Sequence, residues 1–214
     1  MSDCFIRPLT VIEKNNEPDA KDAVLNEGTI QLLRFFCQKG RKMMKAIVYT
    51  TNTGNTERYA KLLGQRIGLP VYALEDAKKS LEKGTGIIYL GWIMASGIKG
   101  YKEAEKCFCI RMVCAVGMGA TGTQIQEVRN KNQIPASTEV FTLQGGFDME
   151  KLRGVNRMMM SMMVKTAGKA LSEKADRTPE EDDMLELMMH GGSRVSMENL
   201  SEPIKWYEQN RDII

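Results

Sequence analysis

Thr51, Asn52, Thr53, Gly54, Asn55 and Thr56 stand in a row, five hydrogen-bonding side chains around one glycine. The hydroxyls of Thr51, Thr53 and Thr56 and the amide of Asn55 can donate to an anion. Gly54 permits a turn that brings backbone N–H groups inward. A helix opening at the end of this run would add its unpaired N–H groups and its dipole to the same place. The run holds no Lys or Arg, so neutral donors would carry a phosphate there, and the GxxxxGK[ST] pattern of a P-loop is absent. This many donors in register argue against a turn that merely caps a helix.

Two further stretches carry chemistry. In Gly91-Trp92-Ile93-Met94-Ala95-Ser96-Gly97, Trp92 can stack on a flat aromatic ligand or pack beneath a helix, and both readings stay open. Ser96 and the backbone N–H groups of Ala95, Ser96 and Gly97 can bond a ligand edge. Gly117-Met118-Gly119-Ala120-Thr121-Gly122 matches GxGxxG, a weak dinucleotide signal when it stands alone. The acidic residue that follows at about the right distance, Glu139, opens a strand instead of ending one, which weighs against NAD. These glycines read better as a wall that backbone and ligand can approach closely.

No catalytic side chain or metal set accompanies these loops. The sole histidine, His190, precedes Gly191-Gly192 and reads as the end of a helix. The five cysteines contain no CxxC pair and are expected to be reduced, packed as small hydrophobes in a reducing cytoplasm.

Alternating patterns position the loops. Strands are expected at 45–50, 71–74, 86–91, 112–116 and 139–143, and helices at 56–67, 76–83, 98–106 and 123–132. Several strands are apolar on both faces, which calls for a parallel sheet covered by helices on both sides. Ligands of such sheets bind at the carboxyl ends of the strands, so the loops after the first, third and fourth strands are where chemistry belongs.

At 214 residues, with 43% hydrophobic and 27% charged residues, the chain has the composition of a globular protein. A net charge of +3 without a Lys/Arg block gives no case for nucleic acid. No apolar run reaches the roughly 20 residues that cross a bilayer. Residues 1–43 stand apart as a leader. Either translation starts at Met43 or Met44, or the leader is a true extension with one helix across 28–39.

Tyr49-Thr50-Thr51-Asn52-Thr53-Gly54-Asn55-Thr56-Glu57 resembles the flavodoxin family, in which a T/S-x-T-G-N-T loop holds the phosphate of FMN. The resemblance covers about 44–143 plus the last helix. It implies an α/β flavodoxin-like three-layer sandwich with a five-stranded parallel sheet in the order 2-1-3-4-5. It also implies FMN as cofactor, with the ring between Trp92–Gly97 and Gly117–Thr121 and a backbone N–H of 95–97 able to turn toward the ring.

A helical, methionine-rich insertion at about 150–195 separates the fifth strand from the last helix; simple electron carriers lack it. Its layout is similar to that of menaquinone-dependent protoporphyrinogen oxidases. A long helix is expected at 152–171, bearing Met158, Met159, Met160, Met162 and Met163. A second follows, with Thr178 as N-cap, Pro179 in the first turn and Glu181 completing a capping box. The methionines either fill a core or form an adaptable apolar surface for a porphyrin, a quinone, a partner or a membrane face, with Arg153, Arg157 and Lys165 beside them.

Three function classes follow. One is a flavin redox protein passing electrons or hydride to a partner protein or to a small acceptor such as a quinone, with peripheral membrane contact but no transmembrane segment. Another is a protoporphyrinogen oxidase-like or quinone-linked flavin oxidoreductase. The third is a cofactor-free interaction module.

Overall fold

The computed structural model describes residues 43–147, 151–152 and 154–211, without the side chain of Asn156. Of the expected leader only Met43 falls within this range, and Asp148, Met149, Glu150 and Arg153 lie outside it.

The strands β1 (Met44–Tyr49), β2 (Val71–Ala73), β3 (Gly86–Met94), β5 (Cys109–Gly117) and β6 (Glu139–Gln144) run parallel in the order β2-β1-β3-β5-β6. A short β4 (Gly97–Ile98) folds back antiparallel on β3, so the sheet has six strands and not the expected five. The third strand therefore runs three residues further than its apolar centre indicates, and Trp92, Ile93 and Met94 belong to the strand and not to a loop.

Period-2 alternation assigns each strand residue to one of two cores. Ile87 and Tyr89 join one cluster and Ile88 and Leu90 the other. On the first face lie α2 (Leu74–Ser80), α3 (Tyr101–Cys107) and α4 (Ile125–Asn132), through Ala77, Tyr101, Ala104 and Val128. On the second lie α1 (Asn55–Ile67) and α8 (Ser201–Asn210), through Tyr59, Leu63, Ile204 and Tyr207. The result is a three-layer α/β arrangement around a mostly parallel sheet. α1 ends at Gly68, whose φ of 73° no β-carbon-bearing residue adopts cheaply.

The segment after β6 begins with β7 (Gly146–Phe147), which pairs antiparallel with β8 (Gly192–Ser193). Between them lie α5 (Gly154–Met163), a π-helical turn (Val164–Gly168), α6 (Lys169–Glu173) and α7 (Pro179–His190). The single long helix expected at 152–171 is thus interrupted by the π turn. The start of α7 carries the expected capping box: Thr178 Oγ1 accepts from the Glu181 N–H at 3.3 Å, and the Thr178 N–H donates to Glu181 Oε2 at 3.0 Å. A 3₁₀ turn (Glu198–Leu200) then leads into α8.

Cys107 and Cys114 are free, and burial pushes the Cys114 thiol up to about 12, so it packs as a protonated, small apolar group. Cys109 is disulfide-bonded, which corrects the expectation that every cysteine is reduced. Among the described residues, no helix is long and apolar enough to cross a membrane, and no group of three His, Cys, Asp or Glu could hold a metal ion.

Candidate functional site

The loop from Thr51 to Gly54 leaves β1 and delivers Asn55 and Thr56 as the first residues of α1. Gly54 sits at the N-cap with φ 93°, and no side chain caps the helix, so the donors of its first turn are left to other partners. Thr51 works inside the loop: its Oγ1 accepts from the Gly54 N–H at 3.1 Å. Asn55 is held by Ser193 of β8, whose hydroxyl donates to Asn55 Oδ1 at 2.9 Å while accepting from Arg58 at 2.9 Å. The amide orientation is thereby fixed, with Nδ2 remaining as donor. Nδ2 lies close to Gly146, where an added β-carbon would stand 3.0 Å from it and 2.3 Å from the Gly192 carbonyl oxygen. Only glycine fits there.

Asn52 is the informative residue. It lines a cavity of about 70 Å³, and its Nδ2, shielded from solvent, has no hydrogen-bond partner. A buried amide donor without an acceptor is costly. Thr53, Asn55 and Thr56 line the same cavity, as do Trp92, Ile93 and Met94 from β3 and Val116, Gly117 and Met118 from the end of β5.

A second cavity, of about 360 Å³, shares Ile93, Met94, Gly117 and Met118 with the first. Ala95, Ser96, Gly119 and Ala120 join them, with Thr142 and Leu143 of β6. The three loops expected to carry chemistry thus meet over the carboxyl ends of β1, β3 and β5. Thr51, Gly54, Gly97 and Thr121 lie on neither cavity wall. Thr121 has a structural partner instead, its Oγ1 accepting from the Gln144 N–H at 3.0 Å.

The β3–β4 connection is a two-residue turn whose central residues, Ala95 and Ser96, both have positive φ (47° and 60°). Tight hairpin turns with two positive φ angles favour Asn-Gly, and each side chain in that region costs of order 1–2 kcal/mol. Asn132, at the end of α4 and 6% exposed, holds the turn in place. Its Nδ2 donates to the Ser96 carbonyl at 2.9 Å and its Oδ1 accepts from the Ile98 N–H at 2.8 Å. Ser96 Oγ donates to Glu127 of the same helix. Asn132 was not among the candidates that sequence spacing singles out, since its partners are more than thirty positions away.

Behind the loops, Thr50 Oγ1 and Tyr89 Oη both donate to the Lys99 carbonyl at 2.7 Å, tying the end of β1 to β3 and to the chain after β4. Burial raises the Tyr89 phenol, so it stays a donor at all ordinary pH. Lys99 Nζ stands 5.7 Å from the Trp92 ring centroid, a cation on the ring. Trp92 is half-buried and forms part of the cavity wall.

The roof comes from the segment after β6. Met160 of α5 borders both cavities, Leu152 closes the smaller, and Met163, Met184 and Met188 close the larger. A chain of polar contacts anchors this roof: Arg194 pairs with Asp183 at 2.7 Å and Glu186 at 3.1 Å, and Tyr59 Oη donates to the Gln144 carbonyl while accepting from Asn199 at 2.7 Å. No protein-family model matches the chain, and no curated protein matches it.

Proposed function

We propose that this chain is an FMN-binding, flavodoxin-like redox protein. The reading rests foremost on the cavity that Asn52, Thr53, Asn55 and Thr56 line at the N-terminus of α1, a terminus that no side chain caps. That donor set suits a phosphate or carbonyl oxygen of a flavin mononucleotide. FMN would supply the electron or hydride chemistry. The chain supplies the rest: Thr53, Thr56, Asn52 and the first turn of α1 hold the anion; the 94–97 hairpin and 117–120 wall position a flat ring; the methionine roof keeps water from it. The order of the parallel strands and the two helical layers support the family resemblance.

The apolar roof over the larger cavity favours a second reading within this one, an oxidoreductase that delivers electrons to a flat apolar acceptor such as a quinone or a porphyrin-like substrate. No side-chain nucleophile is required. A cytoplasmic location and a redox partner protein remain part of the proposal.

The test is the double variant Thr53→Ala/Thr56→Ala. It removes two neutral donors and is expected to weaken FMN binding by about 100-fold, at roughly 1–1.5 kcal/mol per lost bond. Isothermal titration of apoprotein with FMN reads it. Unchanged affinity would remove the phosphate assignment from this loop.

A further inference from the structure

α5 shows two apolar faces. Met160 and Met163 point their side of the helix to the cavities. Val155, Met158, Met159 and Met162 follow each other at spacings of three, one and three, a stripe flanking that side, with Met159 one turn before Met163, and are 66%, 62%, 43% and 63% exposed. An exposed apolar stripe on an amphipathic helix marks an interaction surface.

Cations stand beside it. From 151 to 172 the sequence holds no acidic residue, and Arg157, Lys165 and Lys169 are exposed. Lys165 in the π turn and Lys169 in α6 come directly after the stripe in the chain, so its C-terminal end is followed by cations. Lys169 meets Glu173 only at 3.7 Å, with both side chains mostly in water. Of the acids that follow, Glu181, Asp182, Asp183 and Glu186 are already in ion pairs with Lys174, Arg177 and Arg194.

We infer that this face of α5 lies on an anionic lipid surface. Flexible, unbranched methionines can enter the headgroup boundary while the lysines meet lipid phosphates. A second copy of the chain fits less well, because a two-fold pairing of the stripe would set like charges against each other. A specific protein partner fits less well too, because the stripe carries none of the Trp or Tyr anchors that dominate such interfaces. The consequence is positional: the helix that roofs the larger cavity on one side rests on lipid with the other. An apolar acceptor dissolved in the membrane would meet the cavity at its roof. The lipid contact does not depend on the flavin reading and is tested apart from it.

Flotation of the full chain with vesicles tests the inference. Vesicles of mixed phosphatidylcholine and phosphatidylglycerol are expected to carry the protein at low salt, and pure phosphatidylcholine vesicles to carry much less. Met158→Ser/Met159→Ser/Met162→Ser is expected to lower binding at least tenfold, with unchanged circular dichroism because these side chains are exposed; Lys165→Glu/Lys169→Glu is expected to lower it about tenfold. Flavin content, read by absorbance, is expected to stay the same in both variants. Absence of binding to the anionic vesicles would overturn the proposal, as would binding that survives the methionine substitutions. So would a dimer in light scattering that the same substitutions dissolve, since the stripe would then belong to a second copy.

Discussion

Residues 86–91 of β3 are buried without exception, whereas no described residue of α5 is buried. The end of the same strand, through Ile93 and Met94, and α5, through Met160, border the same cavities. One side of the site is therefore a frame locked by packing on two faces, and the other is a cover touching the frame through a few methionines and an anchored base. The difference matches two tasks. Donors that hold an anion need fixed positions, which strands and a helix N-terminus provide. A cover for a large apolar ligand gains from side chains that can repack.

The comparison can be broken at the frame first. Leu90→Ala empties a fully buried position beneath the site and is expected to cost about 2–5 kcal/mol, read as a lower urea midpoint. A loss below 1 kcal/mol would mean that the frame collapses as readily as the cover. Asn132→Ala leaves the Ser96 carbonyl and the Ile98 N–H without their partner and is expected to cost roughly 2 kcal/mol. It should also weaken FMN binding through the loosened 94–97 turn, which titration of the folded variant would show.

Smaller effects are expected in the cover. Thr178→Ala removes the α7 cap and is expected to cost about 1 kcal/mol. Glu181 adds a pH dependence: Lys174 and the Thr178 backbone N–H hold its carboxyl below the ordinary glutamate value. Its stabilising effect is complete above that ordinary value and is lost as pH falls through the lowered one. The gap in thermal midpoint between the natural chain and Glu181→Gln should therefore be widest near neutral pH and close in acid. A gap independent of pH would contradict that assignment.

The frame was largely legible in the sequence because its signals are local. Apolar runs on both faces announced a covered parallel sheet, the Thr51–Thr56 run followed β1 directly, and Thr178, Pro179 and Glu181 marked the start of α7. The hairpin at Ala95-Ser96 was hidden because Ala and Ser are not residues that favour positive φ. Asn132 was hidden because its contacts are long-range. The two faces of α5 were hidden for another reason: with apolar residues on nearly every side, its pattern cannot say which face meets the protein. The reading of those methionines as core fails for Met158, Met159 and Met162, which are exposed, whereas Met160 and Met163 are half-buried.

The central claim is that the loop after β1 holds FMN, and the most direct measurement is an absorbance spectrum of the purified full chain after addition of FMN and removal of the excess. The account predicts retained flavin bands, with about one flavin per chain. A protein that keeps no flavin under these conditions would contradict it.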